Sequence, residues 1–272
     1  MRRRRLIIRR GAALAAAGLA LPGALVGRPA RASDHNNIDA GRPLRFDDAE
    51  TIAFRERTLE FGAELGAGRG RAAGLGLTAE YLVGFALNTQ VSLDLDPSVG
   101  GRSGTRDTRF DIGNVGVGVL HNFNREYDGT PAFSLRGDLF LPTGRGARGV
   151  DVRLRAIASK TVRQYGRLHL NVDAEMATRP EHDERSFRPG LIVGYSRPLG
   201  YPTRFDRTGL AELAVRSGEA HGEGAVISAG VGVRQQVGVR SVADAGLRSD
   251  IAGFRGASRE SLRLVAGYST SF

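Results

Sequence analysis

Five histidines are the first place to look for chemistry: His35, His121, His169, His182 and His221. Imidazole is the side chain best suited to moving protons near neutral pH. His169 and Asn171 stand two apart in "RLHLNVDAEM", a spacing that puts both on one face of a strand. A nucleophilic site would need a serine with them, and none is obviously paired, so they read as polar lining. His221 opens "HGEG", the form of a hydrolase oxyanion loop, yet no G-x-S-x-G elbow accompanies it. His182 sits in "PEHDER", an acidic stretch that could touch a cation but reads as a solvated loop. In "DLDPSVGG", Asp94 and Asp96 resemble the start of a calcium loop, but Thr105 stands where the closing Glu belongs. "GAGRGRAAG" lacks the strand-to-helix context of a phosphate cradle. There is no Cys, which excludes disulfides and thiolate metal sites. The expectation is no catalytic residue, no metal and no cofactor.

The elements that carry these residues all show one period. From about residue 57 the chain alternates for some ten residues, breaks, and alternates again. "TLEFGAEL" puts Leu59, Phe61, Ala63 and Leu65 on one face and Glu60 and Glu64 on the other. "AFSLRGDLFL", "VDVRLRAIA", "RLHLNVDAEM" and "AVISAGVGVRQ" repeat the pattern. About twelve such segments predict an all-β, up-and-down antiparallel transmembrane β-barrel, since the period is two throughout and no helical stripe appears. The polar face carries charge at strand centres, which suits a wet lumen. The candidate lumen-lining residues are Arg136, Asp138, Arg153, Arg155, Asp173, Glu175, Glu212, Arg234 and Arg263. The apolar face is mostly Leu, Val and Ala, which suits lipid. Tyr and Phe near strand ends can supply interfacial girdles in the absence of Trp. A soluble β-sandwich also alternates, but its strands are shorter. Glycines within strands such as 113–118 are expected to relieve crowding in a curved sheet.

The N-terminus has a different grammar. A basic start, an apolar run from Gly11 to Val26 and Ala30-Arg31-Ala32 predict a cleaved export signal over 1–32. The expected organisation is that signal, a periplasmic N-terminal segment at 33–56, and a barrel at 57–272. Eight of the 39 basic residues lie in 1–32, where there is no acid, so the remainder nearly balances its 29 acids. No basic stripe is left for nucleic acid. Mean hydropathy is −0.23, which says little, because in a membrane barrel only every second residue is apolar.

The last residues, "LRLVAGYSTSF", end on Phe272 with apolar residues at alternate positions before it, including Leu264 and Tyr268. This tail resembles the C-terminal signal of bacterial outer-membrane barrels. The resemblance implies a Gram-negative outer membrane, with outer-membrane lipid, the barrel-assembly machinery and periplasmic chaperones as partners. The tail should close the barrel by pairing with the first strand near Leu59 to Leu65. A narrower resemblance rests on "GRPLRFDDAETIAFRERTLEFGAEL", "DIGNVGVGVLHNF", "LFLPTGRG" and "LHLNVDAEM". These are similar to an outer-membrane family labelled for the meta-pathway of phenol degradation, often described as transporters. It implies passive passage of small-molecule solutes, hydrophobic or aromatic ones among them. The alternatives are a non-conducting structural barrel and an outer-membrane lipid-modifying enzyme.

Overall fold

Alternation in the sequence becomes a closed wall. The structure, a computed structural model, describes residues 42–68, 74–99, 110–257 and 259–272. The predicted signal, its cleavage site, His35 and the centre of "GAGRGRAAG" lie outside the described residues. The strands are β1 (Arg57–Gly68), β2 (Gly74–Ala86), β3 (Thr89–Leu95), β4 (Ser98–Val99), β5 (Phe110–Asp111), β6 (Val115–Asn124) and β7 (Ala132–Leu141). They continue with β8 (Asp151–Val162), β9 (Gly166–Ala177), β10 (Phe187–Pro198), β11 (Arg207–Ser217), β12 (Ala225–Gly238), β13 (Ser241–Gly253) and β14 (Glu260–Ser271). There is no helix among the described residues.

All neighbours are antiparallel and follow chain order. The two-residue β4 and β5 continue β3 and β6 past short interruptions, so the wall has twelve staves. One interruption falls at Asp96-Pro97, where proline has no N–H to offer the ladder. Gly113 makes the other, with φ +74 and the Asp96 carbonyl packed against it, a conformation and closeness that suit only glycine. Closure comes from β14 on β1, with Leu65 opposite Leu264 and Phe61 opposite Tyr268. No edge is left in the wall, so backbone polar groups are satisfied within it.

Even-numbered positions of the tail face outward, and the outer wall is apolar. Leu139, Leu170, Val193, Leu213, Val231 and Leu264 are each more than a third exposed. Aromatic residues gather at the end that bears β1's first residue and Phe272, here called the terminal mouth: Phe85, Phe123, Tyr127, Tyr165, Tyr201 and Phe272 are exposed. Tyr165 and Tyr201 pack with ring centroids 4.0 Å apart, and Phe272 stacks on Tyr81 at 6.5 Å. Connections at the terminal mouth include the two-residue turn Leu87-Asn88, residues 163–165 and residues 239–240, while 199–206 is longer. Asn88 takes a left-handed φ of 57°, which asparagine tolerates in tight turns.

The stretch expected as a segment ahead of the barrel behaves otherwise over its described part. Residues 42–53 run inside the barrel. Leu44 and Phe46 are buried against Ile192, Leu210 and Ala214, and Ala49 against Leu120, Ala132 and Ile157. The physical reason lies in the wall: those residues are apolar on the inner face, and the segment covers them.

Candidate functional site: the barrel interior

The inner wall is built from ion pairs. Arg136 donates through Nε to Asp138 at 2.8 Å and reaches Glu80 at 3.3 Å. Arg153 meets the other Asp138 oxygen at 2.9 Å. Arg155 forks onto Asp173 through Nε and Nη2 at 2.6 and 2.9 Å. Arg188 joins Glu175 at 3.4 Å and Glu184 at 2.7 Å. Arg216 pairs with Asp250 at 3.0 Å, and Arg248 and Arg263 share Glu64 at 2.5 and 2.6 Å. Arg234 and Glu212 are buried on the same inner face. All nine sequence candidates therefore stand on the interior side. The pairs use up much of their charge, because a buried ion needs a partner.

The charges are not evenly spread. β1, β2 and β3 contribute Glu60, Glu64, Glu80 and Asp94, and their one base is Arg57 at the exposed start of β1. β8 to β14 contribute Arg153, Arg155, Arg167, Arg188, Arg216, Arg234, Arg248 and Arg263 against Asp173, Glu175, Glu212, Asp244 and Asp250. One side of the interior is acidic and the other carries an excess of guanidinium over carboxylate. A solute inside would meet a field across the lumen.

Residues 42–53 form a hoop along this wall. Arg42 bonds Glu60 and the Phe61 carbonyl on β1, Ser269 on β14 at 3.1 Å, and stands 3.8 Å from Asp244 on β13. The Arg45 amide donates to Glu212 on β11 at 2.6 Å and its guanidinium to Ser228 on β12 at 2.7 Å. Asp47 exchanges backbone bonds with the Asn171 amide on β9 at 2.6 and 3.0 Å, and its carboxylate accepts from Arg155 on β8 at 2.7 Å. Ala49 donates to Ser159 on β8 at 3.0 Å and accepts from Asn122 on β6 and Ser134 on β7. Ile52 donates to Gln90 on β3 at 2.9 Å, and the Arg55 amide reaches Gly84 on β2 at 2.8 Å. The contacts step round the circumference and return to β1. Glycines on the inner face make the seats. A side chain at Gly194 would strike the Phe46 ring, one at Gly230 the Leu44 side chain, and one at Gly84 the Ala53 carbonyl. For these strands glycine gives room for the hoop, beyond the relief of curvature expected from sequence.

The sequence-stretch histidines divide. His169 is inside, 1% exposed, with Ser159 Oγ 3.0 Å from Nδ1 and Ser196 Oγ 3.0 Å from Nε2. Phe46 covers it at 4.9 Å between ring centroids, and Asp48 lies 3.9 Å away. Serine, histidine and aspartate thus meet, but both ring nitrogens are engaged and the cluster is walled by the hoop. It works as a packed joint. His182 lies in the 178–186 connection, and the "HGEG" turn sits beside it, where the His221 amide donates to the Asp183 carbonyl at 2.7 Å. His121 bonds Thr89 at 2.9 Å on the outer face. No cluster of His, Asp or Glu suited to a metal ion occurs among the described residues. A depression of about 620 Å³ lies on the outer wall over the β1–β14 seam, lined by Ala63, Leu65, Leu247, Leu264 and Ala266. Its lining is apolar.

Sequence reasoning missed the hoop residues and their glycine seats. One signal was available: Ile192, Leu210 and Ala214 are apolar at inward positions where neighbouring strands carry charge, and such a patch requires cover.

Solved structures share this architecture. An outer membrane channel from Pseudomonas putida F1 superposes with a TM-score of 0.65 at 12% identity, over 83% of this chain and 98% of that one. The fold is that of outer-membrane channels. The NanC porin gives a TM-score of 0.54 at 9% identity over 79% and 98%, and the KdgM porin 0.52 at 12% over 79% and 99%. No family model matches the sequence, and no curated protein does.

Proposed function

We propose that the chain is an outer-membrane channel for small polar solutes, with the hoop as a constriction that yields for passage. The observation that carries the reading is the interior: a closed, charged wall around a segment that joins no sheet. The apolar outer wall calls for a bilayer, as in barrels of this class. In such barrels the termini face the periplasm, which puts the terminal mouth there. Export through a cleaved leader at 1–32, and reading of Leu264, Tyr268 and Phe272 by the assembly machinery, belong to the same proposal.

A field across the lumen favours polar and charged solutes and orients them in transit. That lining supports polar cargo over the aromatic cargo suggested by resemblance. The KdgM porin has been solved in complex with disordered oligogalacturonate, so a barrel of this fold can take a polar ligand. The hoop is held by separate hydrogen bonds, each worth about 1 kcal/mol net, whereas the wall is a continuous ladder. The hoop should therefore loosen before the wall does. His169, held on both sides by serine hydroxyls, supports a structural reading over lipid hydrolysis.

The test is planar-bilayer conductance and liposome uptake by the refolded chain, unaltered and as Phe46→Ala with Asn171→Ala. The unaltered protein is expected to conduct weakly and the loosened variant several-fold more. A folded loosened barrel that neither conducts nor admits solute would favour the non-conducting alternative and end the channel reading.

A further inference from the structure

We infer that Arg155 and Arg167 form a binding site for a dicarboxylate solute, and that Asp47, Asp48 and Glu50 occupy it as the chain's own stand-in. Its role in transport rests on the channel reading; the binding itself does not. Within residues 42–53 the acids fall only at 47, 48 and 50, and all three land on arginines of β8 and β9. Arg155 gives Nη1 to Asp47 at 2.7 Å, its other nitrogens being fixed by Asp173. Arg167 Nη1 stands 3.0 Å from an Asp48 oxygen and 2.9 Å from a Glu50 oxygen, as ion pairs. Elsewhere the hoop offers the opposite sign at Arg42, against Glu60, while Arg45 meets Glu212 through its backbone amide. The segment is thus charge-matched to the wall at Arg42 and at its three acids.

The match at Arg167 is incomplete. Its Nε and Nη2 are buried without a hydrogen-bond acceptor among the described residues, and Asp47 Oδ1 and both Asp48 oxygens find no well-aligned donor. A guanidinium is built to hold a carboxylate through two parallel bonds. The hoop engages this one through a single nitrogen and leaves buried donors unmade, which is costly. A free carboxylate could take the whole fork. The stand-in holds its place through tethering, which gives it a high effective concentration. Asn171 adds an amide donor and acceptor when Asp47 departs. Adjacent residues of an extended chain point to opposite sides, so the two stations suit carboxylates at the two ends of a short spacer. The Arg167 station is reachable: its side chain is 18% exposed and that of Glu50 is 55% exposed.

The test uses the full chain in detergent, titrated calorimetrically with adipate, with neutral adipamide as control and bilayer conductance in parallel. Adipate should bind and adipamide should not. The variant carrying Asp47→Asn, Asp48→Asn and Glu50→Gln should bind adipate about fivefold more tightly, since the tethered competitor is weakened. Arg155→Gln with Arg167→Gln should lose about tenfold in affinity, and Arg155→Lys with Arg167→Lys, which keeps charge but not the fork, should lose part of that. Adipate should also raise the conductance of the unaltered protein. No adipate binding to either the unaltered or the acid-neutralised chain overturns the site, as does binding indifferent to both arginine variants. Binding as expected with no conductance in any variant keeps the site and ends the channel reading.

Discussion

At Gly194 the Phe46 ring lies where a side chain would go, and His169, Ile192 and Leu210 hold the ring from other sides. The crowding is against a packed aromatic with nowhere to shift. Overpacking of this kind costs about 1–3 kcal/mol. Gly194→Leu should therefore dislodge the hoop and leave the sheet in place. The readout is trypsin cleavage after Arg45, a bond the seated hoop protects. Cleavage should speed up about tenfold, the change that ~1.4 kcal/mol of weakened seating gives when opening is fast. An unchanged rate, with strand content intact, would show that this seat does not hold the segment.

At the level of elements, the strands and the hoop differ in how plainly the sequence announces them. A strand of this wall has one apolar outer face and one polar inner face, so every second residue answers to the same demand, and the period of two follows. The pairing of the tail with Leu59 to Leu65 was legible for that reason. The hoop has no repeating demand. Each residue answers to a different strand, and the Arg42–Ser269 bond spans 227 positions, so nothing local marks it. Nothing near Gly230 or Gly246 in the sequence marks them as seats, because the side chains that fill them, Leu44 and Pro43, come from far upstream. Of the interior, the charged positions could be read by parity; which of them grip the hoop could not. The tail itself invites a test. Phe272 donates its amide to the Arg57 carbonyl at 2.9 Å, and its ring stacks on Tyr81, so it pins the seam at the terminal mouth. Deleting Phe272 should lower the fraction of heat-modifiable, membrane-inserted barrel while export continues. Undiminished insertion would remove the tail from the assembly argument.

Over the barrel wall, inside and outside are reversed relative to a soluble barrel: ion pairs are enclosed and most of the wall's leucines face out. Leu264 and Arg263 are neighbours on β14 and point to opposite sides. Leu264→Arg should cost about 2–4 kcal/mol in vesicle-based unfolding if the outer wall sits in hydrocarbon. Arg263→Gln leaves Glu64 with Arg248 and should cost less. In a soluble protein the order would reverse, because an exposed leucine is cheap to replace, so that ranking checks the membrane reading. One bond set has a consequence in time. Arg42 reaches β1, β13 and β14 at once. It is synthesised before every strand of the wall, and its seat does not exist until β13 and β14 are in position. A barrel short of its final strands offers that side chain no home. The first arrival thus waits for the last, and its docking certifies that the wall is complete.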